Sequence, residues 1–148
     1  LGAGRQDRVR AGLRASIRLA LILAVPFFAA FFFGGRLMLS LFMNEESTVA
    51  METGLLFLRI VSPFYFVISI KLMVDGVLRG AGAMGAFMTA TFTDLVLRVV
   101  LAYLFSPFLG TTGIWLSWPV GWIAAAVLSV LFYKKDVWTG RSVTVEDR

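Results

Sequence analysis

The sequence predicts an all-α membrane protein with four transmembrane helices. Hydrophobic residues make up 59% of the 148 positions and charged residues only 16%, whereas soluble domains hold about 45–50% apolar and about 25% charged residues. The apolar residues form long runs separated by short polar or glycine-rich stretches. Each run approaches or exceeds the roughly 20 residues that a helix needs to cross a bilayer. These features argue against a water-soluble domain.

The residue types that the chain lacks exclude most catalytic chemistry. It has no cysteine and no histidine, which removes disulfides, thiolate nucleophiles, His-dependent triads and nearly all zinc sites. We therefore expect no enzyme activity, no catalytic residue, no metal site and no cofactor. Arginines near the N-terminus contribute much of the net charge of +5. Since the rest is apolar, we expect membrane lipids and no nucleic acid as partners.

The first span is predicted over about residues 10–35. Residues 19–35 are a run of 17 uncharged residues, which at about 1.5 Å per residue nearly crosses the hydrocarbon. Pro26 lies inside this run, and a kink is expected there because proline removes a helical hydrogen bond. The polar residues 44–48 follow and predict a loop whose last residues cap the next helix.

The second span is predicted over about residues 50–80. As one helix it measures about 45 Å, longer than one hydrocarbon thickness, so its ends protrude or it tilts. Glycines at 80, 82 and 85 follow with the spacing of a dinucleotide-binding fingerprint. That motif requires a preceding strand, and a long apolar helix precedes it here. The glycines are therefore interpreted as a tight turn between membrane helices.

The third and fourth spans are predicted over about residues 85–105 and 114–133. No residue between 99 and 133 is charged, and this stretch is too long for one crossing. Residues 106–113 contain serine, proline, glycine and threonine, which favour turns. The sequence therefore predicts a turn across 106–113 that separates the last two helices.

The charges between the spans predict that both termini are cytoplasmic. Lysine and arginine beside membrane spans stay on the cytoplasmic side. Here they lie before the first span, at the turn after the second and after the fourth, which all fall on one side of a four-span protein. The bundle is thus predicted over residues 1–138, with a cytoplasmic tail at 139–148.

Charged residues inside the predicted spans are the candidate functional residues. Asp94 is the deepest, and Arg98 follows one helical turn later on the same helix face. An ionisable side chain at mid-depth costs at least about 2.5–3.5 kcal/mol and faces a partner or a cavity. Two interpretations stay open: a structural lock, or a path for protons, ions or substrate. Weaker candidates in the second span are Asp75, Lys71 and Arg59.

Four short segments resemble one family of membrane transporters. The first is Gly-Ala-Gly-Arg at residues 2–5, and the second is Val-Leu-Arg-Gly-Ala-Gly at 77–82. The third is LRVVLAY at 97–103, and the fourth is GxxGIW at 110–115. In order and spacing they resemble the C-terminal third of a multidrug and toxic compound extrusion (MATE) transporter, over about residues 1–138.

The resemblance implies a parent of twelve helices in two six-helix bundles around a central cavity. This chain would supply helices nine to twelve, and the missing N-terminal helices would be its partners. The implied protein is a secondary antiporter of the bacterial inner membrane that exports cationic or amphipathic drugs and toxic compounds in exchange for H⁺ or Na⁺. In one branch of the family a carboxylate on helix ten binds the coupling cation. Ile68 occupies that position here, which implies that the coupling carboxylate lies in the missing part.

Two other functions stay open. A flippase for lipid-linked oligosaccharides, from the same superfamily, requires a larger and more basic cavity, and the deep bases are Arg59, Lys71 and Arg98. A four-helix membrane packing protein that transports nothing is the third possibility. An upstream reading frame with further apolar segments favours either transporter, whereas a start codon just before Leu1 favours the packing protein.

Overall fold

A computed structural model describes residues 5–42 and 48–139, and within these ranges the chain forms helices and no β-strand. The six α-helices are α1 (Gln6–Phe33), α2 (Gly35–Ser40), α3 (Thr48–Val61), α4 (Tyr65–Gly80), α5 (Met84–Leu109) and α6 (Thr111–Lys134). Four described segments are long and apolar enough to cross a membrane: Gln6–Phe33, Thr48–Gly80, Met84–Leu109 and Thr111–Lys134. The predicted all-α fold with four spans is confirmed.

The second span is divided by a short 3₁₀ turn at Ser62–Phe64, which separates α3 from α4. Pro63 lies in this turn. It has no N–H to donate, and its ring crowds the preceding helical turn, which favours the local break in the α-helix at this position. The sequence predicted one helix over 50–80, and the structure corrects this to two helices that meet at the proline. In contrast, α1 continues through Pro26.

The connection between α5 and α6 is a single residue, Gly110. The connection lies within the predicted turn at residues 106–113 but is shorter than predicted: α5 continues to Leu109, and α6 begins at Thr111. The N–H of Gly110 donates to the carbonyl oxygen of Ser106 at 2.9 Å, so Ser106 belongs to the last helical turn. Gly110 has a φ of +57°, a conformation that glycine adopts without a steric penalty. Gly110 alone therefore connects the two helices, where the sequence predicted a turn of eight residues.

The segment after α1 contains an additional helix. The sequence predicted only a short apolar piece there, and the structure forms α2, which packs against α3. Gly35, the first residue of α2, is buried. The predicted loop and its helix cap at Ser47 or Thr48 involve residues 43–47, which lie outside the described residues. Residues 140–148 of the predicted tail also lie outside them.

Helix α6 occupies the central position among the spans. It packs against α5 along its length, against α4, and against α3, whereas α1 packs mainly on α4. At one end of the bundle, α1, α4, the α4–α5 turn, α5 and the residues after α6 form a hydrophobic core. Its buried members are Leu13, Val74, Leu78, Ala81, Ala83, Ala86 and Trp138.

Trp138 closes this core after the end of α6. Its side chain is almost fully buried, its indole Nε1–H donates to the carbonyl oxygen of Tyr133 at 3.1 Å, and its ring stacks on the Tyr133 ring. Arg10 of α1 donates to Asp136 at 3.0 Å and lies 5.8 Å from the centre of the Trp138 ring. The start of α1 and the end of α6 therefore lie at the same end of the bundle, together with the α4–α5 turn.

This arrangement predicts which positions face the same side of the membrane. Because the chain has no cysteine, single cysteines can be introduced at Val49, Met84 and Lys135 and labelled with a membrane-impermeant maleimide. In intact cells we expect labelling at Val49→Cys only, since basic flanks stay cytoplasmic. Met84→Cys and Lys135→Cys should react after permeabilisation. Labelling of Val49→Cys and Lys135→Cys from the same side would contradict the topology.

Candidate functional site

The most deeply buried charges of the bundle are Lys71 and Asp75 on α4. Their side chains are 7% and 1% exposed. The ammonium group of Lys71 donates to Oδ2 of Asp75, and the hydroxyl of Ser129 on α6 donates to Oδ1 at 2.6 Å. Both oxygens of the carboxylate therefore have a donor, one from its own helix and one from the neighbouring helix.

The other basic candidates of the second span are separate from this network. Arg59 is exposed on α3 and forms no ion pair within residues 5–42 and 48–139. Arg79, one turn beyond Asp75, is also exposed, and its guanidinium carbon lies 5.1 Å from the centre of the Phe87 ring. The structure therefore brings Lys71 and Asp75 together and leaves Arg59 apart.

Asp94 and Arg98 form a second charge pair, on α5. Arg98 Nη2 donates to Asp94 Oδ2 at 2.7 Å, and the side chains are 24% and 15% exposed. The guanidinium carbon of Arg98 lies 4.5 Å from the ring centre of Trp118 on α6, a geometry in which the aromatic face attracts the cation. Oδ1 of Asp94 is buried and has no hydrogen-bond partner among the described residues.

Trp118 links this pair to an aromatic cluster formed by Phe57, Trp115, Trp118 and Trp122. The Phe57 ring of α3 lies edge-on to Trp118 at 5.7 Å and to Trp115 at 4.8 Å. Trp118 and Trp122 are also edge-on, at 6.0 Å. Such aromatic pairs are favourable beyond the area that they bury. The cluster therefore joins α3 to α6 beside Arg98.

Gly121, Ser129 and Trp118 of α6 complete the two charge pairs, and sequence reasoning did not find these roles. A Cβ at Gly121 would collide with Oδ1 of Asp94, so glycine at this position lets the carboxylate keep its place. The available signal was a four-residue repeat of small, buried residues on α6: Gly113, Ser117, Gly121, Ala125 and Ser129. Small residues in this spacing allow close approach of membrane helices.

The two carboxylates differ in what they can still bind. Asp75 has both oxygens engaged, whereas Asp94 has one oxygen engaged by Arg98 and one without a partner. A carboxylate oxygen in this state can accept a proton or contribute to holding a cation. The described residues contain no cluster of three or more His, Cys, Asp or Glu side chains that could hold a metal ion together.

The chain matches the MatE family over residues 1–104. It belongs to the MatE family. A relative from Bacillus subtilis (strain 168), described as the probable multidrug resistance protein YpnP, is 28% identical over 113 residues. That alignment covers 76% of this MatE chain and 25% of the relative, so the chain spans about a quarter of the length of the curated relative. No solved structure gives a significant match.

The family match confirms the resemblance found in the sequence. Together with the four apolar spans, it shows that this MatE protein is an integral membrane protein. The family match over residues 1–104 includes Lys71, Asp75, Asp94 and Arg98. The part of α6 that contacts both charge pairs lies beyond it.

The network around Asp75 predicts a specific sensitivity to the loss of one hydroxyl. Ser129→Ala removes a donor from a buried carboxylate, and hydrogen bonds to charged groups contribute about 1.5–3 kcal/mol. We expect a loss of that size in the free energy of unfolding in detergent, measured by denaturant titration. Ser117→Ala is the matched control, since Ser117 is equally buried on α6 but donates only to the carbonyl oxygen of Ile114. Equal losses for the two variants would contradict the network.

Proposed function

We propose that this MatE chain is part of a secondary antiporter that exports small cationic or amphipathic compounds in exchange for H⁺ or Na⁺. The observation that carries the proposal is the family match over residues 1–104, in a chain whose described part has four apolar spans. The Bacillus subtilis relative, described as a probable multidrug resistance protein, supports drugs and toxic compounds as the exported class.

Asp94 is the best candidate for a coupling residue within this chain. Its Oδ1 has no hydrogen-bond partner among the described residues, while Asp75 is saturated by Lys71 and Ser129. A proton or Na⁺ on Asp94 cancels the negative charge that faces Arg98. Arg98 then retains its contact with the Trp118 ring of α6.

An aromatic groove between α1 and α4 supports an amphipathic cargo. It has a volume of about 350 Å³, and Phe27, Phe31 and Tyr65 contribute aromatic rings to its wall. Ile68 also lines it, and no charged residue does. Aromatic faces attract cations and bury apolar surface, so the groove suits a cationic aromatic compound. Position 68, where the wall has an isoleucine and not a carboxylate, agrees with this uncharged lining.

The flippase alternative receives less support from the charges. Recognition of an anionic pyrophosphate requires bases that are available to it. Lys71 and Arg98, two of the three deep bases, are each neutralised by a carboxylate one turn away. Arg59 remains, as an exposed single charge on α3.

Further helices of the transporter are the proposed partners of this chain. It spans about a quarter of the length of its curated relative, and the outer face of α5 exposes large apolar side chains. These include Met88, Phe92, Val96, Val99 and Tyr103. We place the complete protein in a bacterial inner membrane with both ends of this chain in the cytoplasm, because the basic flanks lie at one end of the bundle.

Transport assays test the proposal and the role of Asp94 together. Proteoliposomes containing the complete polypeptide encoded by the gene should move ethidium when a pH or Na⁺ gradient is imposed, and vesicles with only these 148 residues should not. Asp94→Asn should reduce gradient-driven movement to background, since the amide cannot take up the cation. The control is Asp136→Asn, an exposed carboxylate that pairs with Arg10, which should retain transport.

Two outcomes would contradict these statements separately. If neither gradient drives ethidium movement by the unaltered polypeptide, the antiport proposal fails. If folded Asp94→Asn protein, checked by size-exclusion chromatography, retains gradient-driven movement, Asp94 is not the coupling residue.

A further inference from the structure

A second groove between α1 and α4 opens at the end of the bundle that carries the basic residues. We call it the glycine groove, because Gly12 of α1 and Gly76 of α4 face it from opposite sides. It has a volume of about 430 Å³, and its other lining residues include Ser16, Leu72, Met73 and Arg79. The groove is thus apolar along most of its length and ends at an arginine.

Both glycines face open space in this groove. A Cβ at Gly12 or at Gly76 would have no atom within 4 Å, so neither glycine is required for contact between the helices. From Leu72 to Arg79 the α4 wall extends about 10 Å at 1.5 Å per residue. That length suits the glycerol region and first methylenes of a lipid chain, lying along the helices with its headgroup at Arg79.

Positive charge at the mouth of the groove has no carboxylate partner among the described residues. Arg79 is exposed and contacts the Phe87 ring only through its guanidinium face. Arg5 is exposed and immediately precedes α1, four residues before Val9, which lines the groove. At this end of the bundle, Asp136 pairs with Arg10 and Asp75 with Lys71, while Asp7 in the first turn of α1 forms no ion pair with Arg79 or Arg5.

We propose that the glycine groove binds an anionic phospholipid, with its phosphate at Arg79 and Arg5 and its acyl chain along Gly12 and Gly76. Anionic lipids are concentrated in the cytoplasmic leaflet, and basic pockets between membrane helices on that side bind their headgroups. The unpaired arginines match the headgroup charge, and the apolar wall matches the acyl chain. This inference does not depend on transport activity or on its coupling ion.

Native mass spectrometry of the complete polypeptide encoded by the gene, in detergent, tests this site. The chain is titrated with phosphatidylglycerol, with phosphatidylcholine of the same acyl chains, and with inorganic phosphate. Since one basic residue contributes about 1 kcal/mol to binding at an anionic surface, Arg79→Gln should weaken phosphatidylglycerol binding about fivefold. Gly76→Leu should weaken it at least as much, because the leucine side chain fills the groove.

Matched controls separate this site from general attraction to the surface. Arg36→Gln removes an exposed arginine of α2, at the opposite end of the bundle, and Gly85→Leu fills open space outside the groove. Both variants should bind phosphatidylglycerol as the unaltered chain does. If Gly76→Leu does not fold, Gly12→Leu replaces it, since that position is equally open.

Three results would overturn the proposal. Equal affinity for phosphatidylcholine would mean that the groove binds acyl chains without recognising the charge of the headgroup. Equal occupancy by inorganic phosphate would mean that the arginines bind a free anion. An equal loss of binding in Arg36→Gln and Arg79→Gln would mean that net charge, and not the groove, attracts the lipid.

Discussion

The structure depends on one constraint: a charge that the bundle shields inside a membrane span must have a partner within reach. Lys71 and Arg98 each meet a carboxylate one turn away on the same helix, because residues four apart lie on one helix face. Neither pair is complete within its own helix. A hydroxyl and an aromatic ring of α6 supply further contacts, so α6 is held between α4 and α5.

The small residues of α6 make this position possible. A Cβ at Gly113 would lie 2.6 Å from the carbonyl oxygen of Phe105, and one at Gly121 would collide with Asp94, so the backbones of α5 and α6 approach closely. Four residues turn a helix by about 40° more than a full turn. The small-residue repeat therefore winds around α6, from the α5 side at Gly113 towards the α4 side at Ser129. One helix can in this way contact both charge pairs.

Contacts within one helix could be predicted from the sequence, and contacts between helices could not. The four spans follow from hydropathy, and the spacing of Asp94 and Arg98 brings them onto one face. The bond from Ser129 to Asp75 joins residues 54 positions apart, and no local pattern states which helix faces which. The predicted ends of α5 and α6 differ from the structure for a related reason. Gly110 alone reverses the direction of the chain, so residues that usually form turns, such as Ser106, lie inside α5.

The central claim is that charge pairing, and not burial alone, holds these residues in the bundle. A double-mutant cycle with Lys71→Met and Asp75→Asn tests it, with the free energy of unfolding measured in detergent for all four proteins. Each single change leaves one buried charge without its opposite charge, so the double change should cost less than the sum of the two, with a coupling of about 0.5–3 kcal/mol. Strictly additive losses would contradict the account, because they would mean that Lys71 and Asp75 are stabilised independently.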